Sequence, residues 1–275
     1  MTRFSASDAA LEGFQVIRNH WRVVLGWAGF NLLAIFAVVI VFILVGVTAV
    51  TVVGGDPGQI GQTVGGPIVG IATLVVQLMI GTALFRAIFR PEERGFLYLR
   101  FGPDELRAVG ASLVLGLGVG ALALAAVALA RAVRPVGSAG PVVVGLAAIC
   151  VGVWLGLRLG FVLPICVAER RIDFARSWRL TRGQGWALLG MTALCGCLGL
   201  LVSVLVWGLF FLLTLAVVGF RELGDLAGPE GFRNHPGLFL LQAIAPFVFG
   251  PFAIAIGWTP WAAAYKALTA EAPAA

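Results

Sequence analysis

Six long apolar segments constrain the fold of this chain more than any other feature of its sequence. They cover residues 23–53, 67–88, 108–130, 142–167, 186–218 and 238–265. About 20 apolar residues are enough for a helix to cross a bilayer. Only 12% of the 275 residues are charged, about half the share in a soluble domain, which argues against a soluble enzyme, a disordered protein or a nucleic-acid binder. The sequence therefore predicts an all-α membrane protein with six transmembrane helices in a single polytopic domain.

The basic residues divide unequally between the two sides of a six-span topology. Of the 19 lysines and arginines, only Arg131, Arg134, Arg221 and Arg233 fall on the side opposite the termini. Loops rich in lysine and arginine stay on the cytoplasmic side. We therefore expect both termini in the cytoplasm and read the high pI mainly as a topology signal, with attraction to anionic lipid headgroups as a second reading.

Three segments on this side combine aromatic residues with arginine and lead into odd-numbered spans. We predict an interfacial helix over residues 5–21, a cytoplasmic elbow over residues 90–107 and a cytoplasmic elbow helix over residues 173–183. An interfacial helix followed by two spans, used three times, would make an internal repeat. The alternative is that cytoplasmic loops of membrane proteins look amphipathic in general.

Capping signals mark the ends of these segments. Ser5 and Asp8 fit a capping box, and Pro103 with two acids behind it is typical of a helix start. Asp173 fits an N-cap and Gly183 a C′ residue. These signals favour helices in the first and third segments and place a helix start at the end of the second.

The stretch 158–186 has the most distinctive pattern. An arginine, a proline and a glutamate close a span, and Ser-Trp-x-Leu-Thr-x-Gly-x-x-Trp follows; the positions are Arg158, Pro164, Glu169, Ser177, Trp178, Leu180, Thr181, Gly183 and Trp186. This pattern resembles the membrane domain associated with bacterial glycerophosphoryl diester phosphodiesterases and its free-standing, uncharacterised relatives. The resemblance implies a helical module of the bacterial cytoplasmic (inner) membrane. It does not imply hydrolysis, because that hydrolase is a separate soluble barrel of about 250 residues.

No catalytic set of residues is visible in the sequence. It contains no phosphate-binding P-loop and no G-x-S-x-G elbow, and its two histidines, His20 and His235, fall on opposite sides of the predicted topology. Cys195 and Cys197 project on roughly opposite sides of a helix, so we read the four cysteines as packing residues. We therefore expect a protein that is not an enzyme and that uses no metal and no cofactor.

The acidic residues outside the spans have a simpler interpretation than catalysis. The pairs Glu92-Glu93 and Asp104-Glu105 are neighboured by arginines, so we expect solvated charged faces. Glu222, Asp225 and Glu230 share an external loop with His235. Divalent-ion binding is one reading of that loop, and a plain solvated loop is the preferred one.

Polar residues and prolines inside the spans separate structural from functional readings. Arg158 either snorkels to the interface or faces a cavity, where it would meet Glu169, a lipid headgroup or a substrate anion. Asn31 and Gln77, together with the carbonyls freed by Pro246 and Pro251, are the candidates for lining a mid-membrane cavity. Plain kinks are the alternative for the prolines.

Glycines at intervals of four give two spans smooth faces. Gly152, Gly156 and Gly160 form such a ridge in the fourth span, and Gly116 and Gly120 form a patch in the third. We expect these faces to pack against each other or across a homodimer. A backbone-lined substrate path is the alternative.

The sequence leaves three functions open. The first is a non-enzymatic membrane module that binds anionic lipid headgroups and assists lipid or envelope handling; its candidate residues are Arg158, Glu169, Arg170, Arg171, Arg176, Trp178, Arg179 and Arg182. The others are a small-molecule or lipid transporter and a scaffold for a membrane partner. We expect membrane lipids as partners, with a homo-oligomer or a membrane-protein partner as further alternatives, and no nucleic acid.

Overall fold

A computed structural model describes residues 6–53, 63, 66–93, 95–100, 102–137, 139–219 and 233–271 of the chain. These residues are mostly helical and contain no strand. The helices are α1 (Ala6–Asn19), α2 (Trp21–Val53), α3 (Gly66–Phe89), α4 (Pro103–Val133), α5 (Ala139–Leu159), α6 (Val162–Ala168), α7 (Phe174–Leu180), α8 (Gly185–Val218) and α9 (Pro236–Glu271), with short 3₁₀ turns at Phe96–Tyr98 and Arg134–Val136. Six segments, one of them α5 together with α6, are long and apolar enough to span a bilayer. The all-α prediction with six spanning helices is confirmed, and the chain is a multi-pass helical membrane protein.

The chain forms two compact units. Unit 1 comprises Met1–Ala9, Thr82–Thr192 and Pro260–Ala275, and unit 2 comprises Ala10–Gly81 and Ala193–Thr259.

Close helix contacts hold unit 2 together. The six-membered ring of Trp258 fills the space where a side chain on Gly81 would lie, and the backbone of Ile256 approaches Gly13 so closely that a Cβ there would be 2.8 Å from its Cα. Contacts this close are available only to glycine. They fix α9 against α3 and α1.

An aromatic and apolar core occupies unit 1. Ala111, Val162 and Cys166 are fully buried together. The ring of Phe161 makes an edge contact with Trp261, with 5.5 Å between centroids, and lies 6.2 Å from Tyr265. This core therefore joins the short helix α6 to the end of α9.

The fourth apolar segment is not one continuous helix, which differs from the predicted span over residues 142–167. The helix α5 ends at Leu159, and α6 begins at Val162. Pro164 lies in the first turn of α6, where it has no N–H to give to the carbonyl of Gly160. Gly160 also lies against the ring of Trp261, which leaves only 2.3 Å for a Cβ.

The described residues of the predicted elbow over residues 90–107 form no amphipathic helix ahead of α4. They form a turn at Pro91 and Glu92, the 3₁₀ turn and the first turn of α4. The expected helix start at Pro103 is observed, with Gly102 as N-cap. The predicted repeat required an interfacial helix in each of the three segments, and the described residues of this segment do not form one.

The caps of the other two segments have different outcomes. Asp173 caps α7, and its Oδ1 accepts a hydrogen bond from the Arg176 backbone N–H at 2.7 Å. Gly183 has a φ of +84°, as expected for a residue after a helix end, but it lies one position beyond the expected C′ because the C-cap is Thr181. Ser5 lies outside the described residues, and α1 ends at Asn19, two residues before the predicted boundary.

The glycine faces pack only in part. Gly160 is in close contact with Trp261, and a Cβ on Gly152 would lie 3.9 Å from Leu122 of α4. Gly116, Gly120 and Gly156 have no neighbouring side chain within 4 Å of a Cβ position. The expected packing of Gly116 and Gly120 is therefore not observed among the described residues. An open apolar groove of about 500 Å³ lies between α4 and α5, and it is lined by Gly152, Gly156 and Gly160 among others.

Candidate anion-binding sites

A buried ion-pair network in unit 1 joins the end of α3 to the start of α4. Arg86 and Glu105 are 1% and 2% exposed, and their side chains meet at 2.5 Å from Nη2 to Oε1. Glu105 Oε2 also accepts a hydrogen bond from the Gly102 N–H at 3.0 Å, which caps α4. Buried charges require such partners, because removal from water penalises an isolated charge.

The same network holds the C-terminal end of α6. Arg90 Nη1 donates to Asp104 Oδ2 at 3.3 Å, and its Nη2 donates to the carbonyl oxygens of Val167 and Ala168. Arg107 Nη1 donates to the other Asp104 oxygen at 2.7 Å. The last carbonyls of a helix lack partners within it, so Arg90 both satisfies them and offsets their negative charge.

The prediction of a solvated face for Asp104 and Glu105 is therefore wrong. The end of α3 covers the first turn of α4, and burial forces both acids into ion pairs with Arg86 and Arg90. The sequence did contain a signal for this network. Arg86 and Arg90, the residue directly after α3, are four residues apart and so project to one side of the helix end, and the next long helix begins with two acids.

Glu169 is the centre of a second cluster. Its Oε1 accepts a hydrogen bond from the Tyr265 hydroxyl at 2.5 Å and lies 2.7 Å from Arg176 Nε, an ion pair without hydrogen-bond geometry. Its Oε2 is 2.9 Å from Arg171 Nη2. Glu169, Arg171 and Arg176, which we predicted as anion-binding residues, are thus paired with one another.

Arg158 has an aromatic rather than an acidic environment. It lies in the last turn of α5, and its guanidinium carbon is 5.8 Å from the Trp154 ring centroid and 5.4 Å from that of Trp178. The two rings contact each other edge to face at 5.1 Å. Its Nη1 donates to Thr181 Oγ1 at 3.4 Å, and its backbone carbonyl accepts from Ser177 Oγ at 2.9 Å. Within the described chain, Arg158 forms no ion pair, and the expected alternative of a contact with Glu169 is not observed.

The remaining predicted cations differ in their pairing. Arg179 and Arg182 are exposed, and neither has an ion pair among the residues that the structure describes. Arg170 pairs with Glu93 at 2.7 Å. We define the Arg158 site as Arg158 with its contacts Trp154, Trp178 and Thr181, together with Arg179 and Arg182, which adjoin Trp178 and Thr181 in the chain. It carries three positive charges and no carboxylate of its own, so it is suited to an anion.

Two of the predicted cavity residues of unit 2, Asn31 and Gln77, come together beside Gly250, where a Cβ would lie 3.4 Å from Asn31 Nδ2 and 3.6 Å from Gln77 Nε2. An apolar cavity of about 310 Å³ lies between α8 and α9 and is lined by Pro246 and Gly250 among others. Asn31 and Gln77 are not among the residues that line this cavity, and Asn31 Nδ2 donates to the Phe247 carbonyl oxygen at 2.7 Å. Gln77 Oε1 is buried and has no hydrogen-bond partner in the described part of the chain. Pro251 is buried and does not line the cavity.

Other predicted chemistry has limited structural counterparts. In the described part of the chain, no group of three or more histidine, cysteine or acidic side chains is arranged to hold a metal ion. The acidic residues of the loop at residues 222–230 lie outside that part. The four cysteines are free thiols.

Comparison with known proteins yields no relative. No family model matches the chain, and no curated protein and no solved structure is significantly similar to it. The resemblance of residues 158–186 to the phosphodiesterase-associated membrane domain therefore stays a prediction.

Proposed function

We propose that this chain is a non-enzymatic module of the bacterial cytoplasmic membrane that binds anionic lipid headgroups at the Arg158 site. In this proposal the arginines face the cytoplasm, and the module assists lipid or envelope handling by retaining such lipids. The proposal follows from the chemistry of one side chain and of the cations around it.

The unpaired guanidinium of Arg158 carries the proposal. A charged group in a membrane-spanning segment almost always has a partner that compensates it, yet no described carboxylate pairs with Arg158. Its one side-chain hydrogen bond in the described structure is a long one of 3.4 Å. Most of its donors therefore have no strong protein acceptor, and a guanidinium matches the two oxygens of a phosphate.

The surrounding residues suit the level of lipid headgroups. Trp154 and Trp178 are partly exposed, and tryptophan is enriched where a membrane meets water. Their contacts with Arg158 orient the guanidinium, while leaving hydrogen-bond donors for a ligand. Arg179 and Arg182 add exposed charge, and each basic residue near an anionic surface contributes about 1 kcal/mol.

The ion pairs around Asp104 and Glu169 also favour the Arg158 site as the place where a lipid phosphate binds. The described carboxylates that could compete with a lipid phosphate, among them Glu169 and Asp104, are held by other arginines. Arg171 and Arg176 are engaged with Glu169. Substitution of these two arginines would therefore disturb an ion pair, whereas Arg158, Arg179 and Arg182 can be changed without breaking one.

Native mass spectrometry with phosphatidylglycerol tests the proposal. We expect the wild-type chain to retain this lipid, and both Arg158→Gln and the double variant Arg179→Gln/Arg182→Gln to retain less. Arg131→Gln is the matched control, because it removes the same charge from an exposed residue. Arg131 lies in the last turn of α4, at the end opposite Pro103. A thermal melt of each variant checks its folding. Equal lipid occupancy in all four proteins would overturn the proposal.

Transport is the weaker alternative. Asn31, one of the residues predicted to line a transport cavity, donates its side-chain hydrogen bond to the Phe247 carbonyl oxygen and so has a structural role. The cavity between α8 and α9 is apolar and offers no charged group to a substrate.

A further inference from the structure

A second polar site lies at the start of α4, away from the residues that define the Arg158 site. An open cleft of about 400 Å³ is lined there by Arg86, Arg100, Arg107 and Arg170, together with Glu93 and the N-terminal turn of α4. Its size is within the range of small-molecule sites. We name it the arginine cleft, and we propose that it binds a phosphomonoester group, carried either by a lipid or by a soluble molecule.

The charge of the arginine cleft favours an anion. The four arginines that line the cleft (Arg86, Arg100, Arg107 and Arg170) and Arg90 behind it pair with only three carboxylates (Glu93, Asp104 and Glu105). The N-terminal end of α4 adds partial positive charge. An excess of two formal positive charges remains, which matches a phosphomonoester with a charge between −1.5 and −2 near neutral pH.

The buried side chain of Arg86 supplies an independent indication. Two of its nitrogens are bound, Nη1 to the Tyr98 carbonyl oxygen at 2.5 Å and Nη2 to Glu105 at 2.5 Å. Its Nε is buried and has no hydrogen-bond partner among the residues that the structure describes, and the side chain, which is only 2% exposed, lines the cleft. Buried donors are almost always satisfied in native proteins, so an acceptor oxygen of a ligand would complete this group.

Two outer arginines can turn towards a ligand at little loss. Arg100 and Arg170 are 59% and 60% exposed and share a single carboxylate, Glu93, at 3.6 Å and 2.7 Å. Exposed ion pairs contribute little to stability. A phosphate in the cleft can therefore recruit both guanidinium groups while the buried network remains intact.

Backbone strain is concentrated at the same place. Leu97, Tyr98 and Arg170 have φ values of 55°, 59° and 57°, and they are the non-glycine residues in the left-handed region within the described structure. Such strain clusters at ligand sites. Arg170 lines the cleft itself, and the Tyr98 carbonyl accepts a hydrogen bond from Arg86, which also lines it.

Two variants with opposite expected effects test the proposal. In full-length protein held in phosphatidylcholine nanodiscs, calorimetry would measure the binding of inorganic phosphate, and native mass spectrometry the retention of phosphatidate. Arg100→Gln/Arg170→Gln should weaken binding by about tenfold or more, because two charge-assisted contacts are lost. Glu93→Gln should tighten it, because both arginines are released from their shared carboxylate.

The two probes identify the source of the phosphate group. Retention of phosphatidate alone would assign a lipid ligand, and binding of phosphate alone a soluble one. The experiments use the Arg158→Gln background, so that lipid bound at the Arg158 site does not contribute. Equal binding of both probes to the Arg158→Gln protein with and without Arg100→Gln/Arg170→Gln would overturn the proposal. Phosphatidylglycerol retention at an intact Arg158 site should not change with these cleft variants, which separates the two proposals.

Discussion

Asn31 Nδ2 donates a hydrogen bond of 2.7 Å to the carbonyl oxygen of Phe247, the acceptor that Pro251 leaves without a helical partner four residues later. Proline has no N–H, so a proline within a helix frees the carbonyl of residue i−4. In an apolar environment an unpaired carbonyl is costly. Asn31 therefore serves as a structural substitute for the missing N–H of Pro251.

We expect Asn31→Leu to destabilise the protein by about 1–3 kcal/mol, since the Phe247 carbonyl would be buried without a partner. Pro251→Ala in the same chain should recover much of the loss, because the new N–H can donate to Phe247. Thermal or denaturant unfolding in detergent measures both effects as a double-mutant cycle. Equal losses for Asn31→Leu with and without Pro251→Ala would show that the hydrogen bond is not the cause.

Gly160 and Gly156 should respond differently to the same substitution. A Cβ on Gly160 would lie 2.3 Å from Cζ3 of Trp261, whereas Gly156 has open space around it. Gly160→Ala should therefore destabilise unit 1 by about 1–3 kcal/mol, as overpacked sites do. Gly156→Ala should be neutral or slightly stabilising, because alanine favours a helix by about 0.5–1 kcal/mol over glycine. Melting temperatures of the two variants in one detergent give the comparison, and similar values would contradict it.

Local sequence signals predicted the parts of the fold that depend on neighbouring residues. Hydropathy indicated six spans, and Asp173 and Pro103 indicated helix starts. The break after Leu159 was not predicted, although Pro164 is a local signal for it; the close contact of Gly160 with Trp261 joins residues distant in sequence.

The same distinction between contacts of neighbouring residues and contacts of distant residues applies to the candidate sites. The pattern of arginine and aromatic residues in the stretch 158–186 identified Arg158, Trp178, Arg179 and Arg182. Only the tertiary structure could show that no described carboxylate pairs with Arg158. The burial of Glu105 could not be deduced from its neighbours in the sequence, because it results from the approach of Arg86 on another helix.

The ion pair between Arg86 and Glu105 should be essential for stability. Both side chains are buried, and removal of one partner from a buried pair costs about 3–5 kcal/mol because the other charge is left uncompensated. We expect Glu105→Gln to lower the melting temperature strongly or to prevent folding. Glu92→Gln, a change of the same kind at an exposed residue, should alter stability by less than about 0.5 kcal/mol. Size-exclusion profiles and melts distinguish the two, and a well-folded Glu105→Gln variant with wild-type stability would contradict the role given to the pair.

Ionic strength should separate the contributions of the arginines in the Arg158 site. Arg179 and Arg182 are exposed, whereas Arg158 is partly buried between two tryptophan rings. Screening acts mainly on exposed charges, and the Debye length falls from about 10 Å at 0.1 M salt to about 3 Å at 1 M. The loss of phosphatidylglycerol retention in Arg179→Gln/Arg182→Gln should therefore shrink as salt rises, while the loss in Arg158→Gln should persist. Lipid retention measured in nanodiscs across this salt range checks the difference, with Arg131→Gln as the control at each concentration. If salt abolished the effect of Arg158→Gln as well, the guanidinium would act as a diffuse surface charge and not as a direct ligand for the lipid phosphate.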